Sequence, residues 1–229
     1  QIILLSDEIY GQLHHSGQHC SVARFYPEGT IISSGLSKWC GAGGWRLGTF
    51  TFPPELNWLL QSMAAVASET FTSVSSPIQC ASIRAFNGGI DIERYLWHTR
   101  RILALLGNQC SATLNEAGIR THPPQGAFYL FPDFTQLADK LAERGIRDAA
   151  TMCNRLLQDT GVAILPGEAF GRPCNELTAR MAYVDFDGAM ALTASERYPL
   201  DQPLPDDFAE LWCHKVSNAM RLIVQWANQ

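Results

Sequence analysis

The chain has 229 residues, of which 46% are apolar and 17% are charged, and its formal net charge is −5. This composition excludes an intrinsically disordered segment, because the chain has enough apolar surface to build a core. Charges of both signs are scattered along the sequence, so no basic run indicates nucleic-acid or anionic-membrane binding. The apolar runs are too short to cross a bilayer, and the first residues lack the pattern of a signal peptide.

Seven cysteines are spread along the chain, and their number is odd. No two of them form a CxxC pair, the spacing that is typical of zinc sites and redox pairs. We therefore expect reduced thiols in a cytoplasmic protein, with no disulfide framework and no metal site. The cysteines are Cys20, Cys40, Cys80, Cys110, Cys153, Cys174 and Cys213.

In the first part of the chain, apolar runs of strand length alternate with segments whose apolar residues recur at helical spacing. The first run, Ile2–Leu5, is continuous and predicts a parallel strand that is covered on both faces. Two adjacent prolines, Pro53 and Pro54, are favoured at the start of a helix. The predicted elements are strands at 2–5, 30–33 and 47–52, a helix from Pro53 to about Ser68, and a helix after Pro77.

The second part of the chain begins with a long helical pattern. Asp91 is a suitable N-cap for this helix, and Gly118 can end it in a left-handed conformation. Further predicted elements are strands at 126–131, 162–165 and 177–183, amphipathic helices at 134–144 and 147–159, and a terminal helix at 208–226. Because helices and strands alternate along the chain, the predicted fold class is α/β.

The most informative stretch, 33–48, follows the second predicted strand. It places Lys38 eight residues before Arg46, with serines upstream and glycines around both. Thirty-one residues before Lys38, the segment Asp-Glu-Ile-Tyr begins at Asp7 and ends at Tyr10, directly after an apolar run. Open α/β sheets place their ligand contacts at such strand ends. Asp, Tyr, Lys and Arg in this order resemble the cofactor-binding half of a class I/II aminotransferase, a fold-type I enzyme that depends on pyridoxal phosphate.

The resemblance implies a role for each of these side chains. Lys38 matches the catalytic lysine that forms the Schiff base with pyridoxal phosphate and then moves protons at the substrate Cα. Asp7 matches the anion that faces the pyridine nitrogen, and Tyr10 matches the donor to the phenolic oxygen. Arg46 and Ser37 match the groups that bind the phosphate, for which a planar guanidinium is well suited.

A further match lies far downstream, in the segment Thr-Ala-Arg-Met-Ala-Tyr that contains Arg180. Arg180 matches the family's C-terminal arginine, which binds the substrate α-carboxylate through two parallel hydrogen bonds. Gly167, in Leu-Pro-Gly-Glu-Ala-Phe, matches the turn that precedes this arginine. The resemblance therefore extends over nearly the whole chain.

The resemblance also implies an architecture and partners. It places residues 1–90 in part of the mainly parallel sheet of the large, cofactor-binding domain, a connecting helix at 91–118, and an α/β small domain at 119–229. It implies a cytoplasmic homodimer that acts on an amino acid and a 2-oxo acid, with no nucleic-acid or membrane partner. The segment 69–73 contains no arginine, which disfavours a dicarboxylate substrate.

Several parts of the family pattern are not found in the sequence. They are a small-residue turn around the phosphate, an aromatic residue that stacks on the pyridine ring, and an asparagine in an Asn-Pro segment. The chain also begins at Gln1, next to a predicted buried strand, whereas domains usually begin with a polar lead-in. We therefore expect a truncated chain that is inactive alone.

Three alternative functions stay open at this point. The same residues would serve another fold-type I enzyme, such as a carbon–sulfur lyase or a synthase. The second alternative is the effector-binding domain of a transcription regulator that uses this fold. The third is a folded fragment without catalytic function. A metal site at His14, His15, His19 and Cys20 is a poorer interpretation than a polar surface loop, because no carboxylate or second cluster completes it.

Overall fold

The computed structural model describes residues 2–229, so expectations about Gln1 lie outside the described residues. The backbone divides into two compact units, a first unit that ends at Arg100 and a second unit, Arg101–Gln229. The boundary between them falls within one long helix. The three-part division predicted from the sequence, with its separate connecting helix, stays a prediction.

The first unit contains a sheet whose three strands follow chain order. Strand β1 (Leu4–Asp7) runs parallel to β2 (Thr30–Gly35), and β2 pairs antiparallel with β3 (Gly48–Thr51). The parallel register places Asp7 opposite Ser33. The three predicted strands are therefore confirmed, with shifts of at most two residues at their ends.

Strand β1 differs from its prediction in burial. Leu4 and Leu5 are exposed, and 63% of Leu5 is accessible. The prediction that this strand is covered on both faces is therefore wrong for the described residues. An apolar run indicates that a strand has faces to bury, but it does not show that the same segment supplies the elements that cover them.

The helices of the first unit follow its sheet along the chain. Helix α1 spans Asn57–Thr70, α2 spans Ser76–Phe86, and α3 spans Ile90–Glu116 and continues into the second unit. The helices predicted after the proline pair, after Pro77 and across the long periodic pattern are confirmed. The predicted N-cap is wrong, because α3 begins one residue before Asp91, whose Oδ1 instead lies 2.7 Å from an Arg84 guanidinium nitrogen.

The second unit contains a sheet of short antiparallel strands. They are β4 (Tyr129–Leu130), β5 (Leu165–Pro166) and β6 (Ala179–Ala182), in the spatial order β4–β6–β5. Each is shorter than its predicted run, because only part of each apolar run has a partner on the neighbouring strand. Strand β6 is the centre of this sheet and carries Arg180.

The second unit also contains helices beyond α3. They are α4 (Ala138–Glu143), α5 (Ala149–Thr160), α6 (Gly188–Ser195), α7 (Phe208–Trp212) and α8 (His214–Ala227). Asp148 caps α5 and Asp187 caps α6, each by accepting a hydrogen bond from a first-turn backbone N–H. The sequence interpretation missed α6, although Asp187 before an alanine-rich stretch was an available signal. No helix among residues 2–229 is long and apolar enough to span a membrane.

Two helix ends test the sequence predictions closely. Gly118 follows α3 with φ at +80°, so the predicted glycine end is confirmed. The predicted continuous terminal helix is wrong, because Cys213, with φ at −130° and ψ at 29°, separates α7 from α8. Phe208, Cys213 and Val216 are all buried, so the apolar pattern continues through the break and conceals it.

Candidate active site

Lys38 lies in the loop that joins β2 to β3. The ends of this loop are joined by a hydrogen bond from Leu36 N to Leu47 O at 3.2 Å, and Ala42 N donates to Leu36 O at 3.1 Å. The side chains of Leu36 and Trp39 are buried, whereas Lys38 between them is half-buried. The loop backbone is therefore anchored in the core while the lysine side chain keeps access to solvent.

Gly35 permits this closed loop. It is the last residue of β2, and a Cβ there would lie 2.6 Å from Leu47 O and 3.1 Å from Gly48 Cα. Such an approach between the two backbones leaves room only for glycine. The glycine pattern around the lysine therefore has a structural cause.

The structure brings two of the predicted residues together. Lys38 Nζ lies 5.8 Å from the centre of the Tyr10 ring. Asp7 ends β1 with an exposed carboxylate, and its Oδ1 accepts a hydrogen bond from Ile9 N at 3.4 Å. Because β1 and β2 are parallel, Asp7 lies at the same edge of the sheet as the loop that follows β2.

Arg46 and Ser37 lie on the same loop as Lys38. Arg46 is exposed, and its Nη1 donates to Gly43 O at 2.7 Å. Its backbone is left-handed, with φ at 55°, a conformation that costs a non-glycine residue roughly 1–2 kcal/mol. Strained residues of this kind cluster at functional sites. Ser37 is half-buried next to the lysine.

Arg180 belongs to the second unit and is half-buried on β6. Its guanidinium carbon lies 4.2 Å from the centre of the Phe170 ring and 4.6 Å from that of Tyr129. Two aromatic faces therefore restrict the orientation of the guanidinium group. Cation–π contacts of this kind are worth about 0.5–1 kcal/mol at accessible sites.

A cluster around Glu8 was missed by the sequence interpretation. The Glu8 carboxylate accepts hydrogen bonds from Ser21 Oγ at 2.5 Å and Ser6 Oγ at 3.0 Å, and it lies 2.9 Å from His19 Nε2. Burial alone would raise the pKa of Glu8, but the hydrogen bonds from Ser21, His19 and Ser6 together hold this pKa below its ordinary value. No local pattern pairs residues that are 11 and 13 positions apart, so only loop closure could have revealed the cluster.

The histidine-rich loop bears on the metal interpretation. The carboxylate of Glu8 contacts His19. The sequence interpretation had placed no carboxylate next to this histidine. Among the described residues 2–229, no group of three His, Cys, Asp or Glu side chains is arranged to hold a metal ion. The seven cysteines are free thiols.

Comparison with known proteins identifies the family of this chain. The matched region includes both Lys38 and Arg180. The family model for aminotransferase class I and II matches residues 1–183. The chain belongs to this family. It is 32% identical over 201 residues to the aspartate aminotransferase of Geobacillus stearothermophilus, covering 86% of this chain and 48% of that enzyme.

Other relatives agree on the family and differ in their named substrates. An asparagine–oxo-acid transaminase of Streptococcus mutans is 30% identical over 194 residues, covering 80% of this chain and 44% of its own length. An aspartate/prephenate aminotransferase of Thermus thermophilus is 32% identical over 173 residues, covering 73% of this chain and 40% of that enzyme. The chain thus spans about half the length of the curated relatives it matches.

The solved structures confirm the predicted fold class. The aromatic aminotransferase from Pyrococcus horikoshii superposes with a TM-score of 0.72 at 25% identity, covering 99% of this chain and 51% of that one. The chain is therefore an α/β portion of a fold-type I structure. Enzymes of this family use pyridoxal phosphate.

Proposed function

We propose that this chain is the lysine-bearing part of an aminotransferase that moves an amino group between an amino acid and a 2-oxo acid. Lys38 is the amine that binds pyridoxal phosphate covalently. The observation that carries this proposal is the position of Lys38 Nζ, 5.8 Å from the Tyr10 ring, on a loop anchored at the same sheet edge as Asp7.

The available donors fit the cofactor. An amine, a carboxylate, a phenol, a hydroxyl and a guanidinium are the chemical groups that pyridoxal phosphate requires, and all five occur within the first unit. They are Lys38, Asp7, Tyr10, Ser37 and Arg46. When bound, the cofactor withdraws electrons from the bonds at the substrate Cα, so that a proton can be removed there.

Each residue of the first unit then has a separate task. Lys38 would hold the cofactor and, with its amine free, would act as the general base at the substrate Cα and then as the general acid. The Asp7 carboxylate would keep the pyridine nitrogen protonated, and the Tyr10 hydroxyl would donate to the phenolic oxygen. Arg46, whose Nη1 donates to Gly43 O, would bind the phosphate with its planar guanidinium.

Arg180 binds the substrate in this proposal. Its guanidinium, held between Phe170 and Tyr129, has a planar set of donors that matches a carboxylate. We assign it to the α-carboxylate, which every amino acid and every 2-oxo acid carries. The amino donor and acceptor differ among the relatives by name, and the segment 69–73 of this chain has no arginine for a second carboxylate.

The 229-residue segment alone is proposed to be inactive. It spans about half the length of its curated relatives, and it lacks the family's phosphate turn, its stacking aromatic residue and its Asn-Pro segment. The lysine is therefore present without one side of the pocket, and the homodimer that the family implies is proposed for the whole protein. We expect weak cofactor binding and no transamination by the segment.

An absorbance titration with pyridoxal phosphate tests this function. We expect the chain to develop a cofactor band that borohydride fixes to the protein, and Lys38→Ala to lose the fixed band. Lys215→Ala is the matched control, because Lys215 is exposed and lies near Asp185 in the second unit. A band retained in Lys38→Ala and lost in Lys215→Ala would show that the assignment is wrong.

A further inference from the structure

Glu8 is a half-buried carboxylate that the proposed chemistry does not use. Its side chain is only 11% exposed, and it follows directly after Asp7 at the end of β1. Glu8 N donates to Ser33 O at 2.8 Å, so the backbone of Glu8 continues the pairing of β1 with β2. Its carboxylate is therefore fixed at the sheet edge from which the Tyr10 turn, residues 8–13, begins.

The contacts of Glu8 close a loop around Tyr10. His19 and Ser21, which bind the Glu8 carboxylate, lie at the far end of the segment 8–21. Hydrogen bonds to a carboxylate are roughly twice as strong as those between neutral groups. Tyr10 lies in the first turn of the segment that these bonds close.

The histidine also contacts the residue next to Tyr10. The His19 ring lies against Gly11, where a Cβ would be 2.8 Å from His19 Cδ2. Gly11 N donates to Glu8 O at 2.9 Å, and Leu13 N donates to Tyr10 O at 2.8 Å. Glu8 thus fixes the turn twice, through its own carbonyl and through the histidine ring that covers Gly11.

A second anchor holds the middle of the same segment. Arg100, which is buried, donates from Nε to Gln12 O at 2.7 Å. Leu13 is also buried. Because these contacts do not involve Glu8, removal of the Glu8 charge loosens the Tyr10 turn without releasing the whole segment.

We propose that Glu8 is a positioning residue that, through His19 and Ser21, holds the Tyr10 ring against Lys38. A carboxylate so committed to three donors is not the proton carrier of the site. The importance of this position for cofactor binding rests on the proposed function, since it requires Tyr10 to donate to the cofactor. Sites of this kind need their groups held within about 0.5 Å by supporting contacts.

The chain offers a direct readout of the Tyr10–Lys38 contact. It has three lysines, Lys38, Lys140 and Lys215, so reductive ¹³C-methylation gives few lysine resonances. The Lys38 signal is identified as the one lost in Lys38→Arg. The ring current of Tyr10 changes the chemical shift of this signal. The Tyr10→Leu variant gives the chemical shift without the ring.

We expect Glu8→Gln and Ser21→Ala to move the Lys38 signal most of the way to its position in Tyr10→Leu. The control is Glu28→Gln, an exposed glutamate of the same unit, which leaves the signal in place. The signals of Lys140 and Lys215 stay unchanged in every variant. Ser21→Ala keeps the test valid if Glu8→Gln does not fold, because it removes no charge and only two hydrogen bonds, the one to Glu8 and the one from Ala23 N.

An unchanged Lys38 signal in folded Ser21→Ala and Glu8→Gln would overturn the proposal. So would a Tyr10→Leu variant in which Glu8→Gln still moves the signal by its full amount, because Glu8 would then act on Lys38 without Tyr10. This measurement needs no cofactor. If the wild-type chain fails to retain pyridoxal phosphate at Lys38 while the signals move as expected, the proposed function fails and the positioning contact stands.

Discussion

The side chains proposed to bind ligands are oriented by neighbours that do not react. Lys38 depends on the buried Leu36 and Trp39, and Arg180 depends on the rings of Phe170 and Tyr129. Sequence motifs name the reacting groups well, because their spacing is short and their chemistry is specific. They do not name the supporting groups, whose identity is set by contacts across a turn or a sheet.

At the Arg180 site, we predict a measurable coupling with Phe170. The single variants Phe170→Leu and Arg180→Met and their double variant form a cycle in the free energy of unfolding. Because the guanidinium carbon lies 4.2 Å from the ring centre, we expect a coupling of about 0.5–1 kcal/mol. Urea unfolding of the chain measures it, and strictly additive effects would contradict a cation–π contact.

The elements follow the sequence most closely where a local signal is complete. The strand before Lys38, the helical turn that Pro54 opens ahead of α1 and the glycine end of α3 were each predictable, because the local residues there have one strong backbone preference. The break at Cys213 was not, because buried residues continue through it. The exposure of β1 was not either, because an apolar run does not show which elements cover it.

At the β2–β3 connection, we predict that Gly35→Ala is destabilising and that Gly48→Ala is tolerated. The two residues face each other in the antiparallel register. A Cβ at Gly35 would lie 2.6 Å from a backbone oxygen, whereas one at Gly48 would have its nearest neighbour at an ordinary 3.6 Å. We expect Gly35→Ala to lower the free energy of unfolding by about 1–3 kcal/mol.

Denaturant unfolding of both glycine variants under the same conditions checks this prediction. Gly48→Ala is a matched control, because it adds the same methyl group to the other member of the pair. Equal stability of the two variants would show that the close approach at Gly35 does not limit the stability of the β2–β3 connection.

At the scale of the whole molecule, many large apolar side chains are exposed. In the first unit they include Leu5 on β1, Trp58 and Val66 on α1, and Ile83 on α2, each more than 60% exposed. Large apolar patches on a monomer mark surfaces that are normally covered. The chain spans about half the length of its curated relatives and leaves these side chains in contact with solvent.

We therefore predict that the isolated segment self-associates. Sedimentation at increasing concentration should show species larger than the monomer mass of 25.3 kDa. Trp58→Glu and Val66→Glu, both on α1, should reduce the association, while Leu211→Glu, an exposed change in the second unit, serves as the control. A monodisperse monomer at every concentration would show that these faces need no cover.

The measurement that tests the assignment of Lys38 most directly is the location of the adduct that borohydride fixes. With three lysines in the chain, peptide mass mapping separates Lys38 from Lys140 and Lys215 without ambiguity. We predict that the added cofactor mass lies on the peptide that contains Lys38. Cofactor mass on Lys140 and Lys215 in similar yield to Lys38 would reveal unspecific labelling and would contradict Lys38 as the cofactor lysine.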